Sequence, residues 1–274
     1  MLNLIGSEFG SGRTRVMGIL NATPDSFFDG GLWSEKDRAL THASDMVRAG
    51  ADIIDIGGES TRPGSRDVEL QEELDRVIPL IECLVSETGI PVSIDTSKPE
   101  VMLAAVEAGA GMINDVFALR RPGALEAAAG LSVPVCIMHM LGKPRDMQHD
   151  PVYGNVASEV LDFLLGRARD CRDAGIPARQ ILIDPGFGFG KTLQHNMRLL
   201  RALPEFVASG YPVLVGISRK SMLGQLTGQA VDRRLHASLA AAVLAAHAGV
   251  SIVRVHDVAE TVDALKIVAA LHSD

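Results

Sequence analysis

The sequence predicts an α/β fold, a single (β/α)8 or TIM barrel with its active site at the C-terminal ends of the strands. Short apolar runs typical of buried parallel strands occur eight times, and a segment with helical periodicity follows each of them. Nearly every apolar run also ends in glycine, polar or charged residues. A barrel places the C-terminal ends of all its strands on one face. We therefore expect these clusters to converge into one deep polar site.

A doubly wound open sheet has the same alternation and remains the structural alternative, because a local pattern does not show closure. The chain has 274 residues, of which 47% are hydrophobic and only 4% aromatic, so it can bury one sizeable aliphatic core. It has no Pro- or Ser-rich linker and no low-complexity tract. We expect a single domain over residues 1–274.

The predicted strands are short and rich in branched side chains. In chain order they are residues 16–20, 52–56, 92–94, 112–113, 133–138, 181–183, 213–215 and 252–253. The fourth is the least well marked.

The predicted helices are marked by apolar stripes and by their ends. The second helix, which Pro79 is able to bend, has its stripe at Leu70, Leu74, Val77, Ile78, Ile81 and Val85. The fifth has Val160, Leu164, Ala168 and Cys171, and the last has Val258, Val262 and Leu265. Pro99 is typical of a helix start, and C-terminal caps are expected at Gly50, Gly109, Gly130, Gly175 and Gly249.

Composition argues against several classes of protein. The net charge of -8 disfavours nucleic acid as the main partner. Three cysteines without ligand spacing indicate neither disulfides nor a zinc site, and we expect buried, reduced thiols. No signal peptide or membrane-spanning run is recognisable, so we expect a cytoplasmic protein with no membrane partner.

Local charge differs from the net charge, because several cations fall in the strand-end clusters. They are Arg62, Lys191, Arg219, Lys220, Arg254 and His256. A site built from them would attract an anionic small molecule.

The first strand is followed by a long polar loop, residues 21–31, with two adjacent phenylalanines, Phe27 and Phe28. A turn-rich connection is one interpretation, but aromatic residues without a core to enter favour a mobile lid. Asn21 offers a hard oxygen suited to Mg²⁺, which proteins hold with few ligands when substrate phosphates supply the rest.

Two further clusters suit phosphate. Residues 57–64 (GGESTRPG) combine backbone N–H groups, hydroxyls and Arg62, although an arginine that bridges loops is an equally good interpretation. Arg254 and His256 are two apart on an extended segment and so share one side. Pairing of Arg254 with a neighbouring acid is the alternative.

Asp95 and Asp184 each end an apolar strand, where a carboxylate is costly unless it meets donors. Either alone is interpretable as an acceptor for loop N–H groups. With Asn114 and Lys220, they suit a planar heterocycle rich in N–H groups.

Residues 186–192 are similar to a nucleotide P-loop but lack its spacing. Gly188 and Gly190 would let the backbone approach a ligand, and Phe189 would form a pocket wall. His139, in an apolar run, is interpreted as a core residue.

Seven segments together closely resemble bacterial dihydropteroate synthases. They are residues 17–27, 55–64, 93–96, 113–116, 184–192, 218–221 and 254–257. The resemblance runs from about residue 16 to the C-terminus in the order of the family. Ala22, Phe28 and residues 138–144 depart from the usual pattern.

The resemblance implies that 6-hydroxymethyl-7,8-dihydropterin diphosphate condenses with p-aminobenzoate to give dihydropteroate and diphosphate for folate synthesis. It places the pterin on Asp95, Asn114, Asp184 and Lys220. It places the diphosphate on Thr61, Arg62, Arg254, His256 and Mg²⁺ bound to Asn21, with Asp29 as a weaker metal candidate. The p-aminobenzoate pocket, where sulfonamides compete, would be formed by Phe27, Pro63, Phe189 and Ser221. The resemblance also implies a homodimer.

The expected catalytic residues are Asp95, Lys220 and Arg254. Metal and cations would disperse the charge that builds on the leaving diphosphate, and Asp95 would stabilise positive charge on the pterin methylene. The arylamine is neutral at pH 7, so it needs positioning more than deprotonation. The alternatives are a pterin-dependent methyltransferase, which would have little use for the diphosphate-binding residues, and a non-catalytic pterin-binding protein.

Overall fold

Eight parallel strands form one sheet in the computed structural model, which describes residues 13–22, 32–60, 67–142 and 147–272. They are β1 (Arg15–Asn21), β2 (Ile53–Gly57), β3 (Val92–Asp95), β4 (Met112–Asp115), β5 (Val135–Met138), β6 (Ile181–Asp184), β7 (Leu214–Val215) and β8 (Ile252–Val255). Each lies within two residues of its predicted position, including the weakly marked fourth strand.

The sheet curls into a nearly closed barrel. Its strand order is β6-β5-β4-β3-β2-β1-β8-β7, so the first and last strands of the chain are neighbours. The two edges meet through one parallel bridge between Ile183 and Val213, and the Ile183 N–H donates to the Pro212 carbonyl at 3.0 Å. The barrel is therefore confirmed, and the open doubly wound sheet is wrong.

Helices surround the barrel. They are α1 (Leu32–Arg48), α2 (Leu70–Thr88), α3 (Pro99–Glu107), α4 (Ala124–Gly130), α5 (Val156–Asp173), α6 (Leu193–Arg201), α7 (Leu203–Val207), α8 (Ser221–Thr227), α9 (Leu235–His247) and α10 (Val258–Leu271). In the described part of the chain, no helix is both long enough and apolar enough to cross a bilayer.

The helix stripes pack on the outer face of the strands and form the main core. The α5 stripe is buried as predicted. In α2, which continues through Pro79, Val77 and Ile81 are buried as predicted, but Leu80 and Leu84 complete the buried face. The rest of the predicted α2 stripe is only partly buried, because it flanks this face.

The helix ends agree with the predicted caps except at one glycine. Gly50, Gly109, Gly175 and Gly249 have positive φ, as left-handed caps require. The prediction for Gly130 was wrong: it is the last residue of α4, and the chain passes directly into extended backbone at Leu131 (φ -102°, ψ 136°).

The thiols agree with the prediction in part. All three cysteines are free, and Cys136 and Cys171 are buried, but Cys83 is partly exposed on α2.

The interior of the barrel is layered. One cluster of fully buried apolar side chains fills it from seven strands: Met17, Ile53, Met112, Cys136, Leu182, Leu214 and Ile252. Residues two apart on a strand face the same side. Two residues further along, four of these strands have Asp55, Asn114, Asp184 and Arg254. Asp95, at the end of β3, belongs with them because it contacts Arg254. A polar layer therefore lies on an apolar floor.

Candidate active site

The polar layer contains four residues predicted for the site, namely Asp95, Asn114, Asp184 and Arg254. They come from β3, β4, β6 and β8, and the neighbouring strands hold Asp95 beside Asn114 in register. Asp95, Asn114 and Asp184 are almost fully buried. The convergence expected from the ends of the apolar runs is therefore present in the structure.

Arg254 links the first half of the barrel to the last strand. Its Nε donates to Asp55 Oδ2 at 2.5 Å, and its Nη2 donates to Asp95 Oδ2 at 2.8 Å. Burial disfavours the charged guanidinium, but the carboxylates of Asp55 and Asp95 raise the pKa of Arg254 above its ordinary value. The alternative weighed for Arg254, pairing with an acid, is thus present, and it involves two acids.

Sequence reasoning missed Asp55 as a site residue. It lies inside the apolar run of β2, has no exposed surface, and also accepts a hydrogen bond from Asn114 Nδ2 at 3.2 Å. The signal that could have found it is a carboxylate in the middle of a buried strand, which is costly without a partner.

Burial changes the protonation of the two predicted carboxylates. It raises the pKa of Asp95 to about 7, against the opposing charge of Arg254 and with the help of the nearby Asp55 carboxylate. It raises the pKa of Asp184 to about 6, although Gly186 N–H donates to Asp184 Oδ1 at 2.7 Å. Both side chains can therefore change charge near neutral pH.

Lys220 and Phe189 form one wall. The Lys220 ammonium lies 4.1 Å from the centroid of the Phe189 ring, a cation–π contact. Burial lowers the pKa of Lys220 to about 8, and the charge of Asp184 opposes this shift. Phe189 itself packs in a third apolar cluster that includes Met138 and Met140.

The loop after β6 is shaped by glycines. Gly186, Gly188 and Gly190 have φ values of 69°, 81° and 64°, in the left-handed region that side chains disfavour. A Cβ on Gly186 would lie 1.9 Å from the His139 carbonyl oxygen, so only glycine fits there. The backbone can thus pass close to the end of β5.

Lys191 does not belong to the cationic face, which corrects the prediction. It is only 3% exposed, and its Nζ donates to the carbonyls of Gly186 (2.9 Å), Phe189 (3.0 Å) and His139 (3.3 Å). It also lies 2.9 Å from His139 Nδ1. Because the glycine loop turns its carbonyls inward, this ammonium closes the loop.

His139 is a buried core residue, as predicted. Burial, and then the charge of Lys191, lower the pKa of His139 to about 3, so the ring is neutral.

The remaining candidates lie at the rim. His256 Nδ1 is 3.0 Å from Ser218 Oγ, which also accepts the His256 N–H at 3.2 Å. Arg219, counted among the strand-end cations, is paired with Asp257 through Nε at 3.0 Å. Ser221 is exposed at the first residue of α8.

Asn21 is the last residue of β1 and is partly exposed beside Gly57 of β2. Among the described residues, no group of three or more His, Cys, Asp or Glu could hold a metal. The amide oxygen of Asn21 is a hard ligand of the kind that suits Mg²⁺ when substrate phosphates and water supply further ligands.

The predicted lid lies mostly outside the described part of the chain, at residues 23–31, which include Phe28. Five predicted binding residues also lie outside it: Phe27, Asp29, Thr61, Arg62 and Pro63.

A second charged cluster, also missed from the sequence, borders the site. Lys98 Nζ donates to Glu59 Oε2 at 2.6 Å and to Glu73, which has no exposed surface. Thr96 Oγ1 donates to the other oxygen of Glu73 at 2.6 Å. The cluster ties the end of β2 and the residue after Asp95 to the first turn of α2.

Comparison with known proteins gives a consistent result. The sequence profile of the family described as "Pterin binding enzyme" matches residues 17–256. The chain is similar to dihydropteroate synthase of Escherichia coli K12, with 51% identity over 265 residues that cover 97% of this chain and 94% of that protein.

Solved structures similar to this chain are also dihydropteroate synthases. A Yersinia pestis dihydropteroate synthase with a sulfonamide drug complex has a TM-score of 0.91 and 52% identity, covering 96% of this chain and 95% of that one. A Xanthomonas albilineans dihydropteroate synthase in complex with 7,8-dihydropteroate has a TM-score of 0.88 and 51% identity, with the same two coverages.

Proposed function

Because the chain belongs to the pterin-binding enzyme family, and within it to the dihydropteroate synthases, we propose that it makes 7,8-dihydropteroate. Its substrates are 6-hydroxymethyl-7,8-dihydropterin diphosphate and p-aminobenzoate, and diphosphate is the second product. The observation that carries the proposal is the meeting of the buried Asp95, Asn114 and Asp184 with the partly buried Arg254 in one layer. The synthase relatives do not favour a pterin-dependent methyltransferase or a non-catalytic binding protein.

The pterin would be held by complementary hydrogen bonds. Asp184 uses Oδ1 for the Gly186 N–H, while its Oδ2 accepts no hydrogen bond from the described residues. That oxygen is available to an N–H of the heterocycle. The amide oxygen of Asn114 supplies a second acceptor, and the Lys220 ammonium a donor.

The diphosphate would be held at the outer edge of the same layer. Arg254 uses Nε and Nη2 for carboxylates, and its Nη1 has no hydrogen-bond partner among the described residues, so it can donate to a phosphate oxygen. By family resemblance, Thr61, Arg62 and His256 add donors. Mg²⁺ on Asn21, when bound, would disperse negative charge on the leaving group.

Bond breaking leaves positive charge on the pterin methylene, and Asp95 is the carboxylate proposed to stabilise it. A group with a pKa near 7 ionises readily as that charge develops. The arylamine then attacks as a neutral nucleophile, so the protein needs only to position it. Phe189 and Ser221, with Phe27 and Pro63 by resemblance, would form its pocket.

The test is a product assay. Purified protein, labelled p-aminobenzoate, the pterin diphosphate and Mg²⁺ should give labelled dihydropteroate, and omission of any one should abolish it. A sulfonamide should raise the KM for p-aminobenzoate without changing kcat. A protein that binds the pterin but forms no labelled product would contradict the proposal.

We further propose that the protein is a homodimer, which the resemblance implies. Large apolar side chains are exposed on consecutive C-terminal elements: Leu226 of α8, Leu244 of α9, and Ile267 and Leu271 of α10. Such a surface is typical of association. Sedimentation should show a dimer that Ile267→Lys converts to a monomer. Leu103→Lys changes an equally apolar, exposed side chain on α3, which packs against α2 and α4, and it should leave the dimer intact.

Cytoplasmic localisation is likewise a proposal. The three free cysteines support it, because thiols stay reduced there. Fractionation of cells that express the protein would test it.

A further inference from the structure

We propose that Asp55 is a positioning residue for the reaction: its carboxylate orients the Arg254 guanidinium and the Asn114 amide toward the pterin diphosphate. This inference rests on the proposed function, because the two oriented residues are the ones proposed to bind that substrate. Asp55 itself has no exposed surface, so it acts through its neighbours.

The geometry is a single oxygen shared by two donors. Asp55 Oδ2 lies 2.5 Å from Arg254 Nε and 3.2 Å from Asn114 Nδ2. It joins β2 to β8 on one side and to β4 on the other. One buried charge thus spans half of the polar layer.

The contact with Asn114 fixes which way the amide faces. An ionised carboxylate only accepts hydrogen bonds, so the amide nitrogen must face Asp55. The amide oxygen then faces away and can accept an N–H group. Without Asp55, the amide could turn by 180° and present a donor instead.

The contact with Arg254 fixes the plane of the guanidinium. With Nε held by Asp55 and Nη2 by Asp95, Nη1 is the nitrogen left to meet a phosphate. Loss of the Asp55 contact would let the group turn toward Asp95 alone. Arg254 would then lose the orientation that leaves Nη1 facing the phosphate.

Stability of the fold does not by itself explain Asp55. Its second oxygen, Oδ1, is buried, and so is the hydroxyl of Ser93, its register neighbour on β3; neither has a hydrogen-bond partner among the described residues. Unsatisfied buried polar atoms destabilise a fold. The Asp55 carboxylate destabilises the fold in this way and contacts two candidate binding residues. Its presence therefore points to a role in the site.

The experiment measures binding of two probes separately by calorimetry. Inorganic diphosphate with Mg²⁺ reports on Arg254, and 6-hydroxymethylpterin, which has no phosphate, reports on Asn114. Asp55→Asn should weaken both by about tenfold or more, since hydrogen bonds to charged groups are worth at least this much. In turnover, the KM for the pterin diphosphate should rise while that for p-aminobenzoate stays within about twofold.

Asp115→Asn is the matched control. Asp115 is an equally buried carboxylate on β4, but it accepts the N–H groups of Phe117 (2.8 Å) and Leu119 (2.7 Å) in its own loop. Asp115→Asn should change the stability of the fold without lowering the affinity for either probe.

A double-mutant cycle tests whether Asp55 affects diphosphate affinity through Arg254. In an Arg254→Met background, Asp55→Asn should no longer affect diphosphate affinity but should still weaken the pterin. This double variant removes a positive and a negative charge together, so it keeps the fold testable if the single variant unfolds. Unchanged affinities in Asp55→Asn, or additive losses of diphosphate affinity in the cycle, would overturn the inference.

Wild-type turnover separates this inference from the proposed function. If wild-type protein binds both probes and shows the expected cycle but forms no dihydropteroate, the function fails and the inference stands. If it binds neither probe, both fail.

Discussion

At Asp95, burial and a neighbouring charge have opposite effects on the pKa of the carboxyl. Burial raises the pKa of its carboxyl to about 7, while Arg254 pulls the pKa down. If the ionised form stabilises the reacting methylene, kcat/KM should fall as pH falls below about 7, because protonation removes the charge. A pH profile between 5 and 9 measures this in the free enzyme.

The control for this profile is Asp95→Asn. It should slow the chemical step in single-turnover measurements, keep the fold, and lose the acid limb near pH 7. An acid limb near pH 4 in the wild type, or a wild-type single-turnover rate in the variant, would rule out the role assigned to Asp95.

For single residues, the sequence shows where a polar side chain lies relative to the end of a strand, but it does not show which way that side chain faces. Asp95 and Asp184 were predicted because a polar residue after an apolar run marks the end of a strand. Asp55 was missed because it lies within such a run. Lys191 was placed wrongly, since whether an ammonium faces a ligand or three carbonyls depends on how the glycine loop turns.

Among the elements, the loop after β6 has little room for a side chain at Gly186. Gly186→Ala would combine a φ of 69° with a Cβ 1.9 Å from a backbone oxygen. We expect it to lower the free energy of unfolding by about 3 kcal/mol or more, as strain and overlap add. It should also weaken pterin binding, because the Gly186 N–H holds Asp184.

Gly228→Ala is a matched control, because its φ is 71° and a Cβ there would meet nothing within 4 Å. It should cost only the left-handed backbone penalty, about 1–2 kcal/mol, with unchanged pterin affinity. Equal losses of stability in the two variants, measured by chemical denaturation, would argue against steric contact as the cause.

The charged cluster of Lys98, Glu59, Glu73 and Thr96 connects α2 to the ends of β2 and β3, so its loss should destabilise the fold. Lys98→Met leaves the Glu73 carboxylate buried without its cation, and we expect the free energy of unfolding to fall by about 3–5 kcal/mol. Adding Glu73→Gln should restore part of the loss. Lys266→Met breaks only an exposed pair with Asp263 and should stay within about 0.5 kcal/mol. A similar small change in Lys98→Met would contradict this account.

Periodicity predicted the elements well because it reflects burial directly. All eight strands and the buried α5 stripe followed from it. The Gly130 cap did not, because composition does not distinguish a helix that ends in a left-handed turn from one that passes straight into extended chain.

For the whole molecule, closure of the barrel is the property that local sequence could not give. It depends on a contact between β6 and β7, and the described structure joins them by a single bridge. β7 has only two residues. The side of the barrel between β6 and β7 should therefore open more easily than the rest.

Hydrogen exchange tests this with two comparable amides. The Ile183 N–H donates to the Pro212 carbonyl across the closure, and the Ile54 N–H donates to the Pro91 carbonyl between β2 and β3. Both residues have no exposed surface. We expect Ile183 to exchange about tenfold faster or more, since local opening there breaks fewer contacts. Equal protection would mean that the barrel opens only as a unit.

The apolar cluster beneath the polar layer closes the site at its inner end, so the site has a single opening. Seven side chains block any passage to the opposite mouth, so both substrates and both products have to use one doorway. We therefore expect the pterin diphosphate to bind before the arylamine. If the pterin occupies the polar layer, its diphosphate lies toward the doorway, and the arylamine follows through the same opening.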